Sequence, residues 1–141
     1  MSTPATSPNY RTGKICYLEI PANDIAESAR FYQQVFGWHV RQRGDGSTAF
    51  DDTTHEVSGS WVSGRPPATS GIQVHIMVAD INAAIAAITA AGGEIVQPVD
   101  PSASEVYALF TDPAGNVLGI YQLPGLAETE ARLSVSRTPE E

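Results

Sequence analysis

The chain repeats one pattern of apolar and capping residues. Asp24 follows the apolar run 15–23, and Asp80, 56 positions later, follows the apolar run 74–79. The same shift maps one i, i+4, i+7 apolar stripe onto another: Ile25, Ala29 and Tyr32 onto Ile81, Ile85 and Ile88. Such a stripe forms one face of an amphipathic helix. The repeat therefore predicts a strand followed by a helix in each copy, with helices over about 25–36 and 81–91.

Residues typical of helix ends occur at matching places in both copies. Asp24 and Asp80 stand at the N-cap positions, where a carboxylate accepts a hydrogen bond from a backbone N–H of the first turn. Gly37 and Gly93 stand after the two stripes, where a left-handed residue commonly ends a helix. The aspartates thus predict where the two helices begin, and the glycines predict where they end.

After each helix the apolar pattern changes to a period of two, which is typical of strands. The predicted strands are 38–43, 48–51 and 57–62 in the first copy, and 94–97, 105–111 and 117–122 in the second. A shift of 60 maps Gly59 onto Gly119 and Trp61 onto Tyr121. Two βαβββ copies, each too small for a core of its own, predict an α+β fold with helices on one sheet face.

The domain organisation follows from the ends of the repeat. We expect one domain over 14–123, with a first module at about 14–62, a linker at 63–71 and a second module at about 72–123. The Pro66-Pro67 pair in the linker prevents either neighbouring element from continuing. The Ser/Thr/Pro-rich residues 1–13 predict a flexible N-terminal tail, and the charged residues 124–141 predict a C-terminal tail.

Composition excludes several classes of partner. The chain has 16 acidic and 8 basic residues, a net charge of −8, and no basic stripe, so neither nucleic acid nor an anionic membrane is an expected partner. No apolar stretch approaches the roughly 20 residues of a membrane helix. The single cysteine, Cys16, lies in an apolar run and is expected to be a buried core residue. These features favour a cytoplasmic protein.

Three segments in order, "YLEIPANDIAESARFYQQVFGW", "HIMVADINAAIAAITAAGG" and "FTDPAGNVLGIYQ", resemble the vicinal oxygen chelate superfamily of glyoxalases, bleomycin-resistance proteins and extradiol dioxygenases. The resemblance implies the glyoxalase/bleomycin resistance fold, a curved eight-stranded cup with the ligand inside. It also implies that metal-dependent members hold a divalent ion on His, Glu or Gln side chains of the first and last strands of each copy.

At those positions the chain has no matching donors. The histidine positions fall on Tyr17 and Gln73, and the carboxylate positions fall on Gly59 and Gly119. Because a catalytic site needs about three protein ligands, we expect no metal and no other cofactor. Each glycine either leaves room in the cup for a ligand or a neighbouring ring, or relieves strain in a bent strand.

Alternation along the strands predicts the lining of the cup. The predicted inward residues form a mostly aromatic pocket, typical of a small-molecule site. They are Tyr17, Glu19, Trp61, Gln73, Met77, His75, Tyr107, Leu109 and Tyr121, with Val57 and Val117.

Glu19 and His75 are equivalent under the 56-residue shift and are candidates for an acid–base pair that removes a proton next to a carbonyl. The alternative is a structural ion pair in the cup wall. His39 and His55 are expected at the surface, and Trp38 in the core or in an interface.

Two functions remain open at this stage. The first is metal-free binding of a small, partly apolar molecule. The second is a metal-independent lyase or isomerase that uses Glu19 and His75. We also expect a homodimer, because the family resemblance implies one and because Phe36 and Trp38 stand at a helix-to-strand corner that a second subunit could cover.

Overall fold

The structure, a computed structural model, describes residues 10–137. The chain divides into two compact units between Arg65 and Pro66, inside the predicted linker 63–71. Residues 1–9 of the predicted N-terminal tail and residues 138–141 of the predicted C-terminal tail lie outside the described residues.

The first unit has one helix and one four-stranded sheet. Its elements in chain order are β1 (Tyr17–Pro21), α1 (Ile25–Phe36), β2 (His39–Gln42), β3 (Thr48–Asp51) and β4 (Ser58–Val62). The strands are ordered β1-β4-β3-β2, with β1 parallel to β4 and the other neighbours antiparallel.

The second unit repeats this topology and adds a helix. Its elements are β5 (His75–Val78), α2 (Ile81–Ala90), β6 (Glu94–Gln97), β7 (Tyr107–Thr111), β8 (Val117–Gln122) and α3 (Leu126–Arg137). The strands are ordered β5-β8-β7-β6, and β5 is parallel to β8. Two βαβββ modules in tandem are therefore confirmed, and α3 lies in the segment predicted as a tail. No helix among the described residues has more than 12 residues, too few to cross a lipid bilayer.

The predicted helix caps are present, with one correction. Asp24 accepts a hydrogen bond from the Glu27 backbone N–H at 3.1 Å, and Asp80 accepts one from the Ala83 N–H at 3.1 Å. Gly37 is left-handed, with φ 73°. In the second unit the left-handed residue is Gly92, with φ 102°, and not the predicted Gly93. Helix α2 ends at Ala90, so the first of the two glycines turns the chain and the N–H of the second reaches back to the helix.

Each helix packs on one face of its own sheet, and the opposite face is called here the open face. In the first unit the helix-side core is aromatic: Trp38 stacks on Tyr32 and Phe50 with ring centroids 4.7 and 4.5 Å away. In the second unit it is mainly aliphatic, with Ile88 and Ile120 fully buried. The prediction of a core position for Trp38 is confirmed. Since Trp38 is covered within its own unit, it gives no reason to expect a second subunit there.

The turn between the last two strands differs in length between the units. Phe50 pairs with Gly59, whereas the equivalent Phe110 pairs with Leu118. The first-unit turn is therefore one residue longer, and the residue that corresponds to Gly119 is Ser60. The one-residue offset reverses the direction of every side chain in β4.

Four predicted placements are wrong, and the first two are a consequence of this offset. Gly59 and Trp61 were expected on the open face, but they lie on the helix side with Phe50. Val57 was expected in the last strand and lies in the turn, because β4 begins at Ser58. Cys16, expected in the core, is exposed because it precedes β1. His39 and His55 are exposed, as predicted.

Candidate functional site

The open face of the second unit carries two rows of side chains that run across the sheet. In the first row, Gly119 of β8 pairs with His75 of β5 on one side and with Leu109 of β7 on the other. In the second row, Tyr121 pairs in the same way with Met77 and Tyr107. Directly paired side chains on neighbouring strands are in contact range, so both rows form one continuous surface.

Gly119 has no side chain, and this leaves space for the His75 ring above β8. A methyl group at position 119 would overlap the His75 ring, with Cγ at 3.0 Å and two further ring atoms closer. The imidazole thus lies over the glycine and meets the edge of the Tyr107 ring at a centroid distance of 5.7 Å and an angle of 76°. The glycine provides the space for a ring from an edge strand to reach the third strand of the sheet.

A cavity of about 660 Å³ opens on this face, called here the unit-2 cavity. Its volume lies in the range of small-molecule pockets, roughly 300 to 1,000 Å³. Its lining combines aromatic, apolar and amide side chains with one imidazole and one carboxylate: Gln73, His75, Met77, Gln97, Glu105, Tyr107, Leu109 and Tyr121. Met77 is 56 % exposed, which is a large value for an apolar side chain.

Polar groups on the cavity wall are held by local hydrogen bonds. The Gln97 amide donates to the Tyr107 hydroxyl at 3.2 Å, and the Gln73 amide donates to the Val117 carbonyl at 3.2 Å. A hydrogen bond with the Glu105 carboxylate raises the pKa of Tyr121 above the ordinary value of a phenol. The two tyrosine rings therefore have fixed partners at their polar ends, and the ring faces remain for apolar contact.

Two lining residues, Gln97 and Glu105, were not predicted from the sequence. Glu105 stands two positions before Tyr107, so alternation could have identified it. Gln97 pairs with Leu109 only because β6 contains a bulge between Ile95 and Gln97. A bulge of this kind reverses the alternation, and no residue in β6 indicates it.

The open face of the first unit has a different character. The guanidinium of Arg41 binds the Asp51 carboxylate through Nε at 2.9 Å and Nη2 at 3.2 Å, and the Ser58 hydroxyl donates to the same carboxylate at 2.6 Å. The hydrogen bond with Arg41 holds the pKa of Asp51 below its usual range, and the same bond raises the pKa of Arg41. The open face of the first unit is therefore charged, whereas the open face of the second unit is aromatic.

Tyr17 and Glu19 lie on this charged face, each beside a cation. The Arg43 guanidinium lies 5.3 Å from the centre of the Tyr17 ring, and Arg65 donates to the Glu19 carboxylate at 2.6 Å. Glu19 is thus held in an ion pair within the first unit, whereas His75 belongs to the second. Their action as a pair stays a prediction.

Only some of the predicted site residues lie together in the structure. The predicted residues on the second unit's open face include Gln73, His75, Met77, Tyr107, Leu109, Gly119 and Tyr121. Tyr17 and Glu19 lie on the open face of the first unit, and Gly59 and Trp61 lie on neither open face.

The residues at the metal positions of the related family do not fit a divalent-ion site. In the strand register these positions are occupied by Tyr17 and Ser60 in the first unit and by Gln73 and Gly119 in the second. A serine hydroxyl and a neutral phenol are weak ligands, glycine has no donor, and Arg43 places a cation at the Tyr17 ring. Among the described residues, no group of three or more His, Cys, Asp or Glu side chains could hold one ion.

Comparison with known proteins supports the fold and the family. The sequence pattern of the Glyoxalase/Bleomycin resistance protein/Dioxygenase superfamily matches residues 14–120. A glyoxylase-like domain-containing protein from Didymella fabae is 32 % identical over 125 residues, covering 80 % of this chain and 96 % of the relative.

Solved structures show the same fold. A glyoxalase/bleomycin resistance protein/dioxygenase family enzyme from Burkholderia phytofirmans PsJN is similar with a TM-score of 0.64 and 20 % identity, over 78 % of this chain and 98 % of the other. TioX from Micromonospora sp. ML1 is similar with a TM-score of 0.57 and 25 % identity, over 78 % of this chain and 98 % of the other. From its sequence pattern and its βαβββ modules, the chain belongs to the glyoxalase/bleomycin resistance protein/dioxygenase superfamily.

Proposed function

We propose that the protein binds a small, partly apolar molecule in the unit-2 cavity and does so without a metal ion. The observation that carries this proposal is the composition of the cavity wall. Two tyrosine rings and the exposed Met77 side chain offer apolar contact, while Gln73, His75 and Gln97 offer hydrogen bonds at the margins. This combination suits a ligand with an aromatic or aliphatic body and a few polar groups.

The way in which the wall is fixed supports binding by enclosure. Tyr107 is held at its hydroxyl by Gln97 and at its ring edge by His75. A ring whose position is already set loses little conformational entropy when a ligand packs against it. Aromatic contacts of this kind contribute about 0.5–1.5 kcal/mol beyond the buried area.

The second candidate is a metal-independent lyase or isomerase in which Glu19 and His75 transfer protons. One observation favours it: His75 lies in the wall of the unit-2 cavity, where an imidazole could reach a bound carbonyl compound. One observation disfavours it: the Glu19 carboxylate already accepts a hydrogen bond from Arg65 at 2.6 Å within the first unit. Binding is therefore the preferred proposal.

The binding proposal is tested by NMR with methyl-labelled methionine. The chain has two methionines, Met1 and Met77, so a Met77→Leu variant identifies the Met77 methyl signal. A library of small aromatic and aliphatic compounds is then screened for those that shift this signal. We expect Tyr107→Leu to weaken binding of a hit by about 3- to 10-fold. Tyr10→Leu, a matched change at an exposed tyrosine outside the cavity, should leave the affinity unchanged.

The proposal is wrong if no compound moves the Met77 signal, or if both tyrosine variants weaken a hit equally. The enzyme is tested separately, by deuterium exchange at the acidic carbon of candidate ketones and aldehydes. Exchange that Glu19→Gln and His75→Gln reduce by about 10²–10⁴-fold would favour the enzyme. Glu27→Gln, in the first turn of α1, is the charge-matched control.

A further inference from the structure

A second pocket of about 490 Å³ lies in the first unit, on the helix side of its sheet. It is called here the helix-side pocket, and its wall is formed by α1, the β2–β3 hairpin and Trp61 of β4. It shares no residue with the unit-2 cavity and lies on the face opposite Tyr17 and Glu19. Its volume is sufficient for a small molecule.

Trp61 contributes a hydrogen-bond donor that has no acceptor in the first unit. The residue is 3 % exposed, and its Nε1 is buried without a hydrogen-bond partner among the described residues. The rings of Phe50 and Tyr32 pack beside the indole, with centroids 4.9 and 6.0 Å from it. Because Nε1 is closed to solvent in this conformation, a ligand reaches it only after a small movement of the pocket wall. A buried N–H that lacks an acceptor is uncommon and destabilising, so an acceptor brought into the pocket would gain more than usual.

Arg30 contributes a positive charge at the margin of the same pocket. Its exposed side chain forms no ion pair or hydrogen bond with any residue in the described range. Arg41 and Arg65, by contrast, are bound by Asp51 and Glu19. In a chain with twice as many acidic as basic residues, an arginine without a carboxylate partner beside an apolar pocket is positioned for an external anion.

We propose that the helix-side pocket binds a small apolar molecule that carries a carboxylate. The apolar part would pack on Ile25, Ala29 and Val40, which line the pocket. The carboxylate would accept a hydrogen bond from the Trp61 indole N–H, and Arg30 would balance its charge. The indole N–H and the guanidinium are both donors, so a ligand that binds both must supply acceptors and negative charge.

The test is a titration followed by ¹⁵N NMR, with naphthoate as the charged probe and naphthamide as its neutral analogue. The chain has two tryptophans, so two indole N–H signals are expected, and Trp61→Phe identifies the one from Trp61. We expect naphthoate to shift the Trp61 indole signal in the direction of a stronger hydrogen bond. Trp61→Phe, which keeps an aromatic ring, should weaken naphthoate about 10-fold or more, as monitored by isothermal titration calorimetry.

Arg30→Gln separates the charge from the apolar contacts. It should weaken naphthoate about 3-fold or more and leave naphthamide unchanged, while Arg132→Gln on α3 should change neither affinity. The proposal is overturned if the Trp61 indole signal does not move at saturating naphthoate, or if Arg30→Gln and Arg132→Gln have equal effects. Because the unit-2 cavity is not involved, the Met77 signal reports independently on the other proposal.

Discussion

Replacing the two glycines of the last strands by alanine should change the stability by different amounts. Gly59 and Gly119 both have ordinary backbone conformations, so neither is required for a left-handed φ. A methyl group at Gly59 would overlap the Leu18 carbonyl oxygen and the Phe50 ring, with Phe50 Cε2 at 2.7 Å. At Gly119 the three heavy atoms nearest to such a methyl group all belong to the His75 ring.

The size of each change in the free energy of unfolding depends on whether the atoms that the new methyl group would overlap can move away. At position 59 the obstacles are the backbone of a paired strand and a fully buried ring, so relief requires a shift in the sheet or the core. Overpacking of this kind costs about 1–3 kcal/mol or more, and replacing a strand glycine by alanine recovers about 0.5–1 kcal/mol. We expect Gly59→Ala to lower the free energy of unfolding by about 2 kcal/mol.

At position 119 the obstacle is the end of an exposed side chain that can rotate away. Rotation of His75 would break its contact with Tyr107, which contributes about 0.5–1.5 kcal/mol to stability. Replacing a strand glycine by alanine would recover about 0.5–1 kcal/mol. Gly119→Ala should therefore change the free energy of unfolding by less than about 1 kcal/mol. His75→Ala in the Gly119→Ala background should remove the overlap, so that the alanine then stabilises the strand.

The measurement is urea unfolding of the full chain, followed by circular dichroism, for the parent and each variant. The reasoning is refuted if Gly59→Ala is as stable as the parent, or if the two alanine variants lose equal stability. Loss of the His75 to Tyr107 contact in Gly119→Ala is checked by nuclear Overhauser effects between the two rings.

Four further predictions concern the second unit and the whole chain. Asn116→Ala should lower the free energy of unfolding by about 2–3 kcal/mol in the same assay, because it removes a donor to the buried Asp112 carboxylate and the side-chain acceptor of the Ala68 N–H. Glu105→Gln should lower the pKa of Tyr121 in an NMR titration, because the carboxylate favours the protonated phenol. Any stability that this hydrogen bond contributes is fully present below the pKa of Tyr121 in the unfolded chain. It is lost as the pH rises through the higher pKa of Tyr121 in the folded protein, near and above about 10. An unchanged midpoint would contradict that contact. Chelator should leave the melting temperature of the purified protein unchanged, and a fall together with one equivalent of bound metal would reverse the proposal of metal-free binding. Light scattering should give a dimer mass, and a monomer mass across a wide concentration range would reject the homodimer.

The parts of the fold predicted well from sequence are those set by local chemistry. Asp24 and Asp80 were placed correctly because a cap depends on a side chain and the next few backbone N–H groups. The choice between Gly92 and Gly93 was wrong because it depends on where α2 ends, and both residues are glycine.

The parts predicted poorly are those in which one extra residue changes a register. In the first-unit turn Asp52 accepts hydrogen bonds from the Glu56 and Val57 N–H groups, whereas in the shorter second-unit turn Asp112 accepts them from the Ala114 and Asn116 N–H groups. The sequence did contain a signal. In β4, Ser58 and Ser60 alternate with Trp61, a pattern that places the large apolar ring in the core.

The two open faces can differ because the residues that fix the fold of each module are not the residues of its open face. The N-caps and the apolar helix stripes occur in both modules, and each module buries an apolar helix-side core, although that core is aromatic in the first and mainly aliphatic in the second. The open-face residues contribute little to that core, so one sheet can carry Arg41 and Asp51 while the other carries Tyr107 and Tyr121 without loss of the fold. A correspondence derived from the repeat is therefore reliable for architecture. It predicts the direction of side chains only ahead of the turns that differ in length, which is why His75 and Met77 of β5 were placed correctly and Trp61, after the longer turn, was placed on the wrong side of its sheet.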